Sequence, residues 1–245
     1  MDIAFLCGGE GTRLRPLTYV VPKPMLPIGS KPILHINIES ITKQGFNRVF
    51  LMVNYKAEII EGYFGDGESF GIPIEYVVED EPRGTAGSLS RLIDVADDPL
   101  VVMNADVLTD LSLQKLLQFH EKKSSHVTIA LKQIQMDIPY GVVKLDDEKT
   151  VTLLEEKPRE KFLINSGIYV VSHEAMMLIP QHGIYHMTDL INDVKAKGMS
   201  VVGLEFDDKW RDIGRLDDYL KAADSNNAES DGSNIQDIQF VPGNE

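Results

Sequence analysis

The sequence predicts an α/β fold: a mixed, mostly parallel sheet flanked by helices, with an inserted antiparallel hairpin. Three observations carry this. Short apolar runs of strand length alternate with segments of helical spacing through the first half of the chain. Several of those runs stop at glycines or a carboxylate, as strands do where an open sheet meets a ligand. The rhythm then breaks at "GVVKLDDEKTVTLLEE", two apolar runs joined by a polar turn at Asp146–Lys149.

In chain order, "DIAFLC" reads as a buried strand ending in glycines. "SKPILHINIESITKQG" reads as a helix, with Ser30 as N-cap, Pro32 in the first turn and Gly45 as the stop. "RVFLMVN" is a strand, "AEIIEGYF" a helix and "IEYVVED" a third strand. "TAGSLSRLID" reads as a helix, "PLVVMNAD" as a strand stopping at Asp106, "DLSLQKLLQFHEKK" as a helix and "VTIAL" as a strand. After the hairpin come the strand "FLINSGIYVVS", the helix "MTDLINDVKAKG", the strand "SVVGLEF" and a closing segment "RLDDYLKAA". Residues 224–245 are polar and without clear periodicity, so the reading is one folded domain over 1–223 and a mostly disordered acidic tail.

The 245 residues are 43% hydrophobic and 25% charged, enough for one large domain or two small ones. Net charge −14 argues against nucleic acid or an anionic membrane as a main partner. From Ala222 onward there are five carboxylates and no Lys or Arg, so the rest carries −9. Met1–Lys31 reverses the sign: Arg13, Arg15, Lys23 and Lys31 outweigh Asp2 and Glu10, a net of +2. Such a local inversion suits a pocket for a small polyanion. The apolar run Ile3–Cys7 is too short for a signal-peptide core or a membrane span, so the expected compartment is the cytoplasm.

"CGGEGTRLR" sits at a predicted strand end but matches neither common phosphate loop. A Walker loop closes with Gly-Lys-Ser/Thr, and here Gly11 is followed by Thr12 and Arg13. A dinucleotide fingerprint needs a glycine where Leu14 stands and an acid where Asn54 stands. The loop is still suited to phosphate. Its glycines let backbone N–H groups approach an anion, Arg13 can fork two oxygens and Lys23 adds a point charge. The prolines that follow, Pro16, Pro22, Pro24, Pro27 and Pro32, restrain the backbone that carries those cations.

"GGEGTRLRPLT…PKPMLPIGSKPI" resembles the signature of the sugar-1-phosphate nucleotidyltransferases, the nucleotide-sugar pyrophosphorylases. "EPRGTAGSL", "NADVL", "YGVV", "EEKP", "NSGIY" and "WRDIGRLDDY" resemble the family's later motifs in the same order, from Met1 to about Ala223. The resemblance implies a Rossmann-like sheet of the nucleotide-diphospho-sugar transferase type. It also implies a reaction: a sugar 1-phosphate attacks the α-phosphorus of a nucleoside triphosphate and pyrophosphate leaves. Between two anions, charge neutralisation and in-line positioning dominate such catalysis, and a strong base is unnecessary.

By the same resemblance, Asp106 and Asp212 hold Mg2+, whose preference is for hard oxygens together with substrate phosphates. Ala105 stands where the family usually has Gly. Arg13 and Lys23 bind the triphosphate, with Gly9, Gly11 and Thr12 in the loop; Arg15 either assists or is merely solvated. Lys157 binds the sugar phosphate and Glu156 a sugar hydroxyl, while Tyr140, Gly141 and Asn165 line the sugar pocket. Gly84, Thr85 and Gly87 face the nucleobase with Leu6 and Gly8. "GTAGSL" resembles the guanylyltransferase branch, which points to GTP; dTTP and UTP are the alternatives. "IPYGVV" and "FLINSGIYV" resemble enzymes that activate glucosamine 1-phosphate, with mannose- and heptose-1-phosphate enzymes as close competitors.

Other features carry less. His182 and His186 have metal-like spacing, but Gly183 lies between them and no Cys or acidic pattern accompanies them, so zinc is not read there. Cys7, where the family usually has Ala, is read as inert packing rather than a reactive thiol, and Met176 and Met177 as core. Two competing functions remain: a sensor of nucleotide sugars on the same fold, and a glycosyltransferase. The retained Asp106, Asp212, Arg13, Lys23 and Lys157 disfavour the first, and the single Asp in "NADVL" disfavours the second. No appended regulatory domain is read, and either a monomer or a homo-oligomer is compatible with the sequence.

Overall fold

The computed structural model describes residues 1–230. In chain order the strands and helices are β1 (Asp2–Leu6), β2 (Pro27–Ile28), β3 (Lys31–Pro32), α1 (Ile33–Lys43), β4 (Arg48–Val53), α2 (Ala57–Phe64), β5 (Ile74–Val78), β6 (Leu100–Asn104), β7 (Val107–Thr109) and α3 (Leu113–Lys123). They continue with β8 (Val127–Asp137), β9 (Gly141–Leu145), β10 (Val151–Glu156), β11 (Arg159–Val171), α4 (His173–Met176), α5 (Met187–Ala196), β12 (Val201–Phe206), β13 (Trp210–Asp212) and α6 (Leu216–Ser230).

Seven strands form the main sheet in the order β12-β8-β11-β6-β1-β4-β5. β6, β1, β4 and β5 run parallel, as do β8 and β12; β11 is antiparallel to both of its neighbours. The sheet is therefore mixed and mostly parallel, as the sequence predicts. Alternation along each strand splits the core between its two faces. Ile3, Phe5, Val49, Leu51, Val101 and Met103 meet α1, α2 and α3 through Leu34, Ile38, Ile60, Phe64 and Leu116. Ala4, Phe50, Met52, Leu100 and Val102 meet α5 through Leu190 and Val194. A third cluster joins Leu14 of the glycine loop to Ile213, beside β13, and to Ala222 of α6. Burying one such side chain contributes about 1.5–3 kcal/mol, so this small core pins two distant segments together.

Several expectations are corrected in detail. Ser30 is not the N-cap of α1: it forms, with Gly29 at φ 64°, the turn between β2 and β3, and Pro32 directly precedes the helix. "TAGSLSRLID" yields a 3₁₀ segment over Gly87–Leu92, where the Ser90 hydroxyl donates back to the Gly87 carbonyl at 2.8 Å. Met176 is buried, but Met177 is 60% exposed. The expected "VTIAL" strand extends to Asp137, and α6 continues to Ser230, seven residues beyond the expected domain end. The remainder of the predicted tail lies outside the described residues.

Candidate active site

The site lies at the carboxyl ends of β1, β5 and β6, where parallel strands leave a crevice. Two cavities meet there. One of about 220 Å³ is lined by Gly9, Gly11, Thr12, Arg13, Lys23 and Asp106, among others. The second, of about 310 Å³, is lined by Leu6, Gly8, Gly9, Met52, Glu79, Gly84, Thr85, Ser88, Asn104 and Asp106 among others. Leu6, Gly9 and Asp106 belong to both, so the cavities form one groove across the end of β1.

The glycine loop closes around Gly11, whose φ of 62° favours a residue without a side chain. A Cβ there would stand 2.8 Å from Thr18 Cγ2 and 3.1 Å from Lys23 Cβ, while the Thr18 hydroxyl donates to the Gly11 carbonyl at 2.9 Å. Lys23 is itself nearly buried, and its ammonium donates to Asp106. Asp212 arrives from the far end of the chain because β13 pairs with β7 in the register Asp212↔Val107, next to Asp106; the Ile213 N–H donates to the Asp106 carbonyl at 3.0 Å. Burial raises the Asp212 pKa, the Asp106 charge raises it further, and Lys23 and Arg13 pull it down. Arg13 closes the group, its Nη1 3.7 Å from where a Cβ on Gly214 would stand.

Arg13, Lys23, Asp106 and Asp212 are thus brought together, as the sequence predicts. Two converging carboxylates are a donor set that fits Mg2+ completed by substrate phosphates. His182 and His186 both lie ahead of α5 rather than within a helix, so their spacing falls on no helix face. His186 instead caps α5 reciprocally with Asp189. Arg15 turns away to the surface, bridging Glu10 at 2.9 Å and lying over the Tyr19 ring. Cys7 is buried at the back of the first cavity, and burial, with the Asp106 charge adding to it, pushes its thiol pKa well up and so disfavours the thiolate.

On the second cavity, Gly84 and Thr85 line the wall as expected, and the Thr85 hydroxyl accepts from the Met187 N–H at 2.8 Å. Gly87 does not line it. Its N–H is spent on the Tyr185 carbonyl at 3.0 Å, and it packs against Arg83. Sequence reasoning missed Glu79 and Ser88. Glu79 follows β5, is 8% exposed, and accepts from the Arg83 N–H at 3.4 Å. The Ser88 hydroxyl is buried and has no hydrogen-bond partner among the described residues. The signal for Glu79 was available: it ends a parallel strand, as Asp106 does.

The predicted sugar-side residues form their own group. Gly141 pairs with Glu156 across β9 and β10, and the Lys157 N–H donates to the Tyr140 carbonyl at 3.2 Å. No hydrogen bond or ion pair joins these four to Arg13, Lys23 or Asp106 among the described residues. Asn165 is held by Tyr169 Oη at 2.7 Å and by the Gly167 N–H at 3.0 Å. Gly167 lies against Asn104 of the second cavity: a Cβ there would fall 2.6 Å from Asn104 Nδ2.

The family model described as nucleotidyl transferase matches residues 4–229. This chain belongs to the nucleotidyltransferase family, in its sugar-1-phosphate branch. Among curated relatives, this nucleotidyltransferase is 36% identical to a D-glycero-alpha-D-manno-heptose 1-phosphate guanylyltransferase of Campylobacter jejuni, over 89% of this chain and 97% of that one. It is 34% identical to a UTP–glucose-1-phosphate uridylyltransferase of Synechocystis over 91% of its length, but spans only 62% of that relative. Among solved structures, HddC from Yersinia pseudotuberculosis complexed with GMP-PN superposes at TM-score 0.72, with 26% identity over 91% of this chain and 98% of that one. The nucleotidyltransferase has, among its described residues, no helix long and apolar enough to cross a membrane.

Proposed function

We propose that this nucleotidyltransferase joins GTP to a sugar 1-phosphate, giving a GDP-sugar and pyrophosphate. The observation that carries the choice of GTP is the buried Glu79 carboxylate in the second cavity. An ionised carboxylate only accepts hydrogen bonds. Guanine offers it two adjacent donors, N1–H and the N2 amino group, whereas uracil and thymine offer one N–H between two carbonyl acceptors. Leu6 and Met52 supply apolar walls for the base plane, and the unpaired Ser88 hydroxyl is a further polar group for it. The Campylobacter relative and the GMP-PN complex support the same nucleotide.

In this reading a phosphate oxygen of the sugar 1-phosphate forms the new bond to the α-phosphorus as the α–β bond breaks. Arg13, Lys23 and the loop N–H groups of Gly9, Gly11 and Thr12 neutralise the departing pyrophosphate. Lys157 holds the attacking phosphate, and Tyr140, Gly141, Glu156 and Asn165 orient the sugar. Asp106 and Asp212 would hold Mg2+, which when bound supplies charge neutralisation at the phosphate oxygens. Because the nucleophile is already ionised, no side chain need remove a proton.

The test is pyrophosphate release with magnesium, crossing GTP, dTTP, UTP, CTP and ATP against glucosamine-, mannose-, glucose- and heptose-1-phosphates. Release confined to GTP with one sugar is the expected result and names that sugar. Release with UTP or dTTP instead would overturn the assignment of Glu79. No release from folded protein that still binds nucleotide would favour a sensor.

A further inference from the structure

Arg83 lines the second cavity and is held through its backbone and its side chain alike. Its N–H donates to Glu79 Oε2 at 3.4 Å, and its carbonyl accepts from the Tyr185 N–H at 2.9 Å. The guanidinium reaches two further places: Nη1 donates to Ser90 Oγ at 3.2 Å and Nη2 to the Pro180 carbonyl at 2.9 Å. The Ser90 hydroxyl passes the contact on, donating to the Gly87 carbonyl at 2.8 Å. One residue thus ties together the end of β5, the 3₁₀ segment Gly87–Leu92 and the stretch that leads into α5.

Glu79 needs such a hold. Residues 79–86 belong to no helix or strand, and a loop positions a side chain less sharply than a regular element does. The Glu79 carboxylate is buried, and a Cβ on Gly8 would stand 3.6 Å from Oε2, so this oxygen lies close to the glycine loop across the cavity. Among the described residues the Arg83 N–H is the one hydrogen-bond donor to that carboxylate. Where the N–H points depends on where the Arg83 backbone is fixed. Both acceptors of the guanidinium are uncharged, so it serves as a rigid fork rather than as half of an ion pair.

We propose that Arg83 is a positioning residue for base selection: by clasping Ser90 and Pro180 it fixes the N–H that orients the Glu79 carboxylate. This deepens the reading of Glu79 given above and rests on it. Arg83 acts through Glu79, because its Nη1 and Nη2 are already committed to protein acceptors. A contact of Arg83 with the triphosphate is the rival role, and it would serve every nucleotide equally.

The measurement is kcat/KM for GTP and for inosine triphosphate, which lacks only the N2 amino donor of guanine. It is made on wild type, Glu79→Gln, Arg83→Ala, the double variant, Arg83→Lys and Arg91→Ala, with circular dichroism as the folding control. Arg91 is the comparison arginine: it also donates to a backbone carbonyl, that of Val78 at 2.6 Å, but makes no bond to Glu79. The ratio of GTP to inosine triphosphate should fall several-fold in Arg83→Ala while kcat at saturating GTP stays near wild type. Arg83→Lys, which keeps a charge but not the fork, should fall between, and Arg91→Ala should match wild type. In the double variant the ratio should fall no further than in Glu79→Gln alone, the signature of two residues acting as one unit. A ratio that falls in Glu79→Gln but holds in both Arg83 variants would overturn the positioning role and leave the base reading standing. Additive losses in the double variant, or an equal fall in Arg91→Ala, would overturn it too. A ratio that ignores Glu79→Gln would overturn the base reading itself, and this proposal with it.

Discussion

The Lys23 ammonium donates to the Asp106 carboxylate, joining two residues 83 positions apart across the mouth of the groove. The pair is mostly buried, and the Asp106 charge raises the Asp212 pKa while the Lys23 charge lowers it, so Lys23 offsets the repulsion between the two carboxylates. In the function proposed above, Lys23 would hold the acidic pair together and present positive charge to the triphosphate.

Lys23→Ala and Asp106→Asn should therefore leave folded protein with turnover reduced by about 10²–10³, the usual cost of one well-placed charge stabiliser. Initial-rate pyrophosphate assays with circular dichroism as the folding control measure this. Near-normal turnover in either variant would remove these residues from the chemistry.

Glu79→Gln tests the base. The amide keeps one acceptor oxygen but presents donors where guanine also donates. Preference for GTP over UTP, as a ratio of kcat/KM, should fall roughly 5- to 150-fold, the equivalent of about 1–3 kcal/mol for one bidentate base contact. A ratio that does not move would place base selection elsewhere.

How much of this was legible follows one physical boundary. Asp106 could be found because a buried strand and its end are written locally, in "PLVVMNAD". Glu79 obeys the same strand-end rule in "IEYVVED", and only the lack of a motif hid it. Gly87 was misassigned for the opposite reason: its motif is local, but its N–H is taken by Tyr185, a partner that only the tertiary fold brings near. Likewise the period of "SKPILHIN" permits a helix from Ser30, whereas the β2–β3 turn claims that residue first. The hairpin's strands were legible, but the exposure of Val143, Leu145, Val151 and Leu154 on them was not, because alternation shows that a face exists and not what covers it.

Gly84 and Gly183 separate backbone strain from crowding. Both have left-handed φ, 77° and 88°. A Cβ at Gly183 meets nothing within 4 Å, whereas one at Gly84 would lie 2.5 Å from the Tyr185 carbonyl oxygen. Gly183→Ala should cost about 1–2 kcal/mol, the conformational penalty alone. Gly84→Ala should cost clearly more and weaken nucleotide binding, because either Gly84, which lines the second cavity, or the Tyr185 backbone packed behind it must shift. Urea midpoints and nucleotide titrations of the two variants make the comparison; equal losses would mean the Tyr185 contact yields freely.

His120 predicts how stability depends on pH. Its ring is buried, with Nδ1 2.9 Å from Thr128 Oγ1 and 3.1 Å from Ser125 Oγ, and those two hydroxyls lie 2.8 Å from each other. Burial lowers its pKa below 6.5; Asp98 and Glu121 oppose that shift, and His126 adds to it. The folded protein thus binds this proton less readily than the unfolded chain does. Stability from this group is fully present above pH 6.5 and is lost as pH falls through the lower folded value. Other groups titrate in the same range, so the informative quantity is a difference. Unfolding free energies of wild type and His120→Gln, measured from pH 8 to pH 5, should converge as the pH falls, with wild type losing more. Parallel curves would mean that His120 has the same pKa folded and unfolded, and that acid sensitivity arises at another group.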